Sequence, residues 1–205
     1  MYLSQLILNP RSREARFDLS DRHELHRTLL RAFPQAMPDD ERVLYRVEDQ
    51  ADAVVVPVLV QSHDKPDWHS AERLNTARYL NSAPQVREII PRVMVGDRLP
   101  FRLRANPTVK RDGKRHALYA EDVLETWLAR KAQAHGFALV PEAALLIVKL
   151  GKRYGKKRQQ TWHAVQFDGM LTVTDVNAFH QALGHGIGSG KAFGFGLLSI
   201  PYANA

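Results

Sequence analysis

Towards its end the chain runs Leu183-Gly-His-Gly-Ile-Gly-Ser-Gly-Lys-Ala-Phe-Gly-Phe-Gly-Leu-Leu-Ser-Ile200, and six of its twelve glycines fall between Gly184 and Gly196. Glycine at that density costs conformational entropy, so the backbone there must do something a side chain would prevent. Three uses compete: a phosphate cradle of successive N–H groups with Lys191 adding a full charge, close approach of the backbone to a polynucleotide, or a flexible turn before the apolar run at 197–200. Spacing excludes the familiar nucleotide loops. A P-loop needs a glycine five positions before the glycine that precedes its lysine, and that position is His185; Ala192 stands where a hydroxyl is required. No register supplies the dinucleotide fingerprint, and the loop leads into an apolar strand rather than opening a helix.

Lys and Arg outnumber Asp and Glu by 29 to 22, a net charge of +7. That excess favours an anionic partner, nucleic acid first and an acidic membrane surface second. No apolar run approaches the 18 residues a membrane helix needs, and the opening Met-Tyr-Leu-Ser-Gln-Leu-Ile-Leu has no basic region before it. Neither a signal peptide nor a membrane partner is expected. The chain has no cysteine, which excludes disulfides, thiolate nucleophiles and cysteine-based zinc sites and fits a cytoplasmic protein.

With 205 residues the chain can form one large domain or two of about 100. Residues 2–9 read as a strand ended by Pro10, followed by a basic loop (Arg11, Arg13, Arg16) and a helix over 21–33. On that helix Leu25, Leu29, Ala32 and Phe33 share one side; His23 and Arg27 lie opposite, with His26 at the boundary beside them. Strands at 42–47 and 53–61 form a hairpin, Pro57 marking an edge or a bulge. A short helix at 70–80 precedes an irregular segment and a strand over 99–106, which alternates Leu99, Phe101, Leu103 and Ala105 with Arg98, Arg102, Arg104 and Asn106. A basic linker follows, carrying Lys110, Arg111, Lys114 and Arg115. In the second half a helix over 120–135 ends at Gly136, strands lie at 138–140 and 145–150, and a hairpin turns at Asp168-Gly169. A helix at 176–183 then leads through the glycine loop into a closing strand at 193–200. This order predicts an α+β fold of two tandem ferredoxin-like (βαββαβ) domains. Residues 1–110 carry the histidine helix, and residues 111–205 carry the basic loop and the glycine-rich loop.

Residues 149–158 hold six basic side chains and no acid, and clustered like charges repel unless a polyanion lies nearby. Two basic tracts plus a glycine loop suit an RNA duplex or hairpin better than a small nucleotide. The expected RNA-binding residues are Arg22 and Arg27 on the helix, Arg102 and Arg104 on the strand, and Lys110 and Arg111 in the linker. Lys152, Arg153, Lys156 and Lys157 in the second tract join them, with Gly188 and Lys191 in the loop. His23-Glu-Leu-His26 lacks the four-residue histidine spacing of zinc proteases, and no further ligands complete a metal site. The chemical reading of His26 is metal-free RNA cleavage. The 2′-hydroxyl of the substrate is the nucleophile, so the protein needs only a group that moves a proton and positive charge on the phosphorane.

Gly186-Ile-Gly-Ser-Gly-Lys-Ala-Phe-Gly-Phe-Gly-Leu-Leu198 resembles the glycine-rich signature of the repeat-associated mysterious proteins of CRISPR systems. The likeness extends to Met1-Tyr-Leu-Ser-Gln-Leu-Ile-Leu-Asn9, Leu25-His-Arg-Thr-Leu29 and Phe101-Arg-Leu-Arg-Ala-Asn-Pro107, which are similar to the CasE family of repeat-processing endoribonucleases in type I-E Cascade. The resemblance implies a nuclease that recognises the hairpin of CRISPR repeat RNA and cuts at its 3′ base. It would leave a 2′,3′-cyclic phosphate, use no cofactor, and stay bound to the guide RNA alongside other Cascade subunits. The family's helix histidine matches His26. His23 stands where some relatives have tyrosine, and the family's basic residue before its late strand matches Arg158, with Lys156 and Lys157 adjacent. A non-catalytic RNA-binding scaffold of the same superfamily is the alternative; it would need the basic tracts and the glycine loop but not His26.

Overall fold

The computed structural model describes residues 1–34, 42–48, 54–76, 78–155 and 160–201. The chain divides into two compact units. One comprises Met1–Ile89, Tyr154–Thr161 and Ala192–Gly194, and the other Ile90–Arg153, Trp162–Lys191 and Phe195–Ala205.

In the first unit β1 (Tyr2–Leu8) is followed by helices α1 (Arg13–Ser20) and α2 (Arg22–Leu30), then by β2 (Leu44–Val47), β3 (Val56–Ser62) and β4 (Gln85–Glu88). The strands pair antiparallel in the order β2-β3-β1-β4. That is the ferredoxin-like arrangement, with the second helix reduced to a single 3₁₀ turn at Glu72–Asn75. Leu6, Leu8, Leu25, Leu29, Val58 and Val60 form the centre of its core.

Three local expectations change here. The basic stretch 11–16 is helical at its end, because Ser12 caps α1 by accepting from the Ala15 N–H at 3.3 Å. Asp21 in turn caps α2 by accepting from His23 N–H at 3.0 Å, so the helix expected over 21–33 is preceded by a second helix instead of a loop. Pro57 sits in a central strand instead of at an edge. On one side it pairs with Ile7, and on the other β2 ends opposite Val58, where only the Pro57 carbonyl is used, accepting from Glu48 N–H at 2.8 Å. The predicted strand over 99–106 belongs to the second sheet, and the fourth strand of the first is β4, within the segment read as irregular.

α1 and α2 are tied together by one buried carboxylate. Asp18 accepts from the Thr28 hydroxyl at 2.8 Å, the Tyr79 hydroxyl at 2.7 Å and Arg73 Nε at 3.0 Å. Burying a carboxylate without partners costs several kcal/mol; these three donors make the site possible and hold α2 in place through Thr28.

The second unit contains β5 (Arg98–Ala105), β6 (Thr108–Arg111), β7 (Lys114–Ala117), α3 (Glu121–Ala134), β8 (Phe137–Leu139), α4 (Val176–His185), β11 (Leu198–Ser199) and most of β9 (Leu146–Gly155) and β10 (Gln160–Val173), the end of β9 and the start of β10 belonging to the first unit. Its sheet has the order β11-β5-β10-β8, with β9 also pairing β10. Counting β5, β8, β10 and β11 as the four core strands gives the same ferredoxin-like order, with β6–β7 and β9 as insertions. The fold is therefore α+β with two ferredoxin-like halves.

Asp168-Gly169 is not a turn. Both residues lie inside the 14-residue β10, opposite Arg102 and Phe101. Arg102 neutralises Asp168 through two contacts of 2.6 and 3.1 Å, and bare Gly169 makes room for Leu145 and Phe101, which a Cβ would approach to 3.1 and 3.3 Å. The closing strand is shorter than predicted, because Gly194 and Gly196 take positive φ and hold the backbone out of extended geometry. Among the described residues no helix is long and apolar enough to cross a membrane.

Candidate catalytic site and RNA-binding elements

α2 begins at Arg22 and places His23 and His26 three positions apart, hence on neighbouring parts of one face. Leu25, Thr28 and Leu29 are buried on the opposite side. His26 is not simply solvated: its imidazole stacks on the Tyr45 ring, 5.8 Å between centroids and 16° between planes. Its Nδ1 is buried and has no hydrogen-bond partner among the described residues. Burial, and then the charge of His23, push the His26 pKa down to about 4, so the ring is neutral at pH 7.

Tyr45 is completely buried, in β2. Its hydroxyl donates to the Arg22 carbonyl at 2.6 Å, at the first residue of α2, and burial raises its own pKa. Gly194 packs against the same ring, where an added Cβ would lie 3.1 Å from Tyr45 Cε2. His23 faces Phe193 at 5.9 Å between ring centroids, and its Nδ1 is 4.0 Å from Glu24 Oε1. Gly155, the last residue of β9, lies so close to Phe193 that a Cβ there would run into the ring. The first unit thus gathers Arg22, His23, His26, Tyr45, Gly155, Phe193 and Gly194. Tyr45 and Phe193 are absent from the expected site: Tyr45 reads as one more apolar strand residue, and the only signal for a second role is the hydroxyl that a buried tyrosine must satisfy.

Arg158, expected as the third catalytic residue, lies outside the described residues, as do Lys156 and Lys157. Arg27 is exposed and forms an i,i+3 pair with Glu24 at 3.2 Å. Arg102 is tied to Asp168 as described above, and buried Arg104 donates to Gln166 Oε1 at 3.0 Å; these two guanidiniums are committed to the sheet surface. Arg153 donates back to the Leu150 carbonyl at 2.8 Å, and Lys152 is exposed on β9.

Lys110 and Arg111 stand on the β6–β7 ribbon, which turns at Asp112-Gly113 with φ of 48° and 75°. The register sets Lys110 opposite Arg115 and Arg111 opposite Lys114. Like charges directly across a ladder repel, so four exposed cations on two short strands make a surface that a polyanion would relieve. Gly188 and Lys191 line a pocket of about 370 Å³ in the second unit. Among the described residues no group of three or more His, Asp or Glu side chains converges as a metal site would require.

Two ferredoxin-like halves, a neutral half-buried histidine on a helix and an exposed basic ribbon define a class of RNA-handling protein. The chain belongs to the CRISPR-associated protein family, whose model matches residues 1–201. It is 37% identical to the CRISPR-associated endoribonuclease Cse3 of Thermus thermophilus over 98% of this chain and 99% of that one. It is 31% identical to the CRISPR system Cascade subunit CasE of Escherichia coli, with 98% of each chain covered. Among solved structures, Thermus thermophilus Cse3 bound to an RNA representing a pre-cleavage complex matches with a TM-score of 0.84 at 35% identity, over 98% of each chain.

Proposed function

We propose that this protein is an endoribonuclease that binds the hairpin of CRISPR repeat RNA, cleaves it at its 3′ base without a metal ion, and remains on the guide RNA as a Cascade subunit in the cytoplasm. The observation that carries the chemistry is the state of His26: neutral at pH 7, on a helix fixed by Asp18 and Tyr45. A neutral imidazole is a proton acceptor. In this reading His26 takes the proton of the 2′-hydroxyl; the 2′-oxygen bonds to phosphorus, the bond from phosphorus to the 5′-oxygen breaks, and the product carries a 2′,3′-cyclic phosphate. His23, on the same face, returns a proton to the departing 5′-oxygen. Arg158, with Lys156 and Lys157, supplies the positive charge that stabilises the phosphorane. Residues 1–110 supply the proton-transfer helix, and residues 111–205 supply the basic and glycine-rich loops.

Binding rests on the basic ribbon, with Lys110 and Arg111 on phosphates, supported by Arg22, Arg27, Lys152 and Arg153. Arg102 and Arg104 contribute through the shape of the sheet surface more than as separate charges. The test is the chemistry of the ends. Parent protein in EDTA should cut a repeat hairpin to give a 2′,3′-cyclic phosphate, and should bind but not cut the same hairpin with one 2′-deoxynucleotide at the cleavage site. Products with a free 3′-hydroxyl, or cleavage of the deoxy substrate, would contradict the mechanism.

A further inference from the structure

The pocket that Gly188 and Lys191 line has a composition the catalytic reading does not use. Four cations converge on it: Arg115 from β7, Arg130 and Lys131 from α3, and Lys191 after the glycine loop. No carboxylate is among its lining residues. Its positive field is felt by His135, whose pKa is lowered first by burial and then by Lys131 and Lys191. Ser189, also in the lining, keeps a buried hydroxyl that has no hydrogen-bond partner among the described residues. A buried hydroxyl without a partner costs free energy that a bound acceptor would recover. Trp127 forms part of the wall; it stacks on Phe167, which fixes it, and Gly188 at φ +87° brings the loop to within 3.5 Å of its edge, measured from an added Cβ.

Four positive side chains and one free hydroxyl around one space are chemistry for a phosphate. The volume of about 370 Å³ is in the range of small-ligand pockets, larger than a phosphate needs and far too small for a duplex stem. A single nucleotide outside base pairing fits both limits. We infer that this pocket holds one nucleotide of the single-stranded RNA flanking the repeat hairpin, gripped by its phosphate. The inference rests on the RNA-binding half of the proposed function and assigns the pocket no part in the cleavage step.

A convergent pocket makes a different electrostatic prediction from a basic surface. The salt dependence of log K counts phosphates neutralised, at about 0.7 per single-stranded phosphate. Several cations on one phosphate therefore remove about 0.7 in total, whereas cations tracking successive phosphates remove that much each. The experiment compares two RNAs, the bare stem-loop and the same stem-loop with single-stranded nucleotides at both ends, bound by parent, Arg130→Ala and Arg130→Ala/Lys131→Ala. The expected result is about a tenfold loss of affinity for the flanked RNA in the double variant, with the bare stem-loop unchanged. The slope for the flanked RNA should fall by no more than about 0.7 in total across the two variants, not by about 0.7 for each cation removed. The cleavage rate at saturating RNA should match the parent.

Equal losses on both RNAs would place these cations on the stem and overturn the inference. So would additive slope changes, or no change on either RNA. A parent that binds the flanked RNA but never cuts it would overturn the endoribonuclease reading, while the flank comparison would still decide the pocket. A parent that binds neither RNA would overturn both. AMP binding that is lost in the double variant, with RNA affinity unaffected, would make the pocket a free-nucleotide site and overturn the RNA assignment.

Discussion

The His26 imidazole lies nearly parallel to the Tyr45 ring, 5.8 Å away and tilted by 16°. The contact packs a buried strand residue against a helix residue whose pKa is lowered first by burial. Tyr45 covers one face of the imidazole and, through its hydroxyl on the Arg22 carbonyl, pins the start of the helix that carries it. Gly194 packs against the same tyrosine ring.

Replacing Tyr45 by leucine should uncover His26 and let its pKa rise from about 4 towards the ordinary 6.5, since burial is the largest cause of the shift. Tyr45→Phe keeps the ring and should leave the His26 pKa low, while losing about 1 kcal/mol of stability with the hydroxyl's bond to Arg22. An NMR titration of the His26 ring in both variants checks the pair. Equal His26 titration in Tyr45→Leu and parent would show that the stack is not what keeps the imidazole neutral.

His26 also makes stability depend on pH in a definite direction. Its folded pKa lies below its unfolded value, so the unfolded chain binds the proton more readily. Stability is complete above about pH 6.5 and is lost as pH falls towards 4, by at most about 3 kcal/mol. Denaturant unfolding of parent and His26→Gln at pH 7 and near pH 4.5 should show the parent losing more. Parallel losses would mean that His26 is as well hydrated in the folded state as in the unfolded one.

Glycine matters at Gly155 and Gly194 for different physical reasons. Gly155 has no room for a Cβ beside Phe193, and Gly194 combines φ of +83° with the Tyr45 ring at 3.1 Å from an added Cβ. Gly155→Ala and Gly194→Val should each cost about 1–3 kcal/mol and slow cleavage by displacing Phe193 from His23 or Tyr45 from His26. Thermal unfolding with single-turnover rates measures both effects, and unchanged values in both variants would show that these contacts position nothing.

The β6–β7 ribbon trades stability for binding. Lys110 faces Arg115 and Arg111 faces Lys114, two repulsive pairs. Lys110→Gln and Arg111→Gln should each stabilise the free protein slightly, by about 0.2–1 kcal/mol, while reducing the salt slope for hairpin RNA by up to about 0.9 each. Arg102→Gln should change that slope less, because Arg102 is already paired with Asp168. Equal slope changes for Arg102 and Arg111 would mean that the ribbon has no special role.

What the sequence made legible and what it hid follow from the range of the interactions. The helix ending at Gly136 and the alternation of β5 are local signals: α3 stops at Ala134 with Gly136 at φ +73°, and β5 alternates as far as Leu103, beyond which Arg104 and Asn106 are buried along with Ala105. The partner of β5 is not local, which is why that strand was expected in the wrong sheet. Asp168-Gly169 carries the local chemistry of a turn, but an arginine 66 positions away neutralises the aspartate and holds the segment in a strand. His26 could be picked from its helix face, whereas its stacking on Tyr45, 19 residues on, is something no helical pattern reports. Phe193 in the glycine stretch likewise shows its role only beside His23 and Gly155.

The most direct test of the account is single-turnover cleavage of a repeat hairpin in EDTA by parent and His26→Ala, with affinity measured on an uncleavable 2′-deoxy hairpin. A group that moves a proton contributes about 10²–10⁴ in rate, and a neutral imidazole adds little to phosphate binding. Cleavage by His26→Ala should be slower by that factor, with affinity within about twofold of the parent. Unchanged cleavage by His26→Ala, or a parent that cuts only when Mg²⁺ is supplied, would contradict the mechanism.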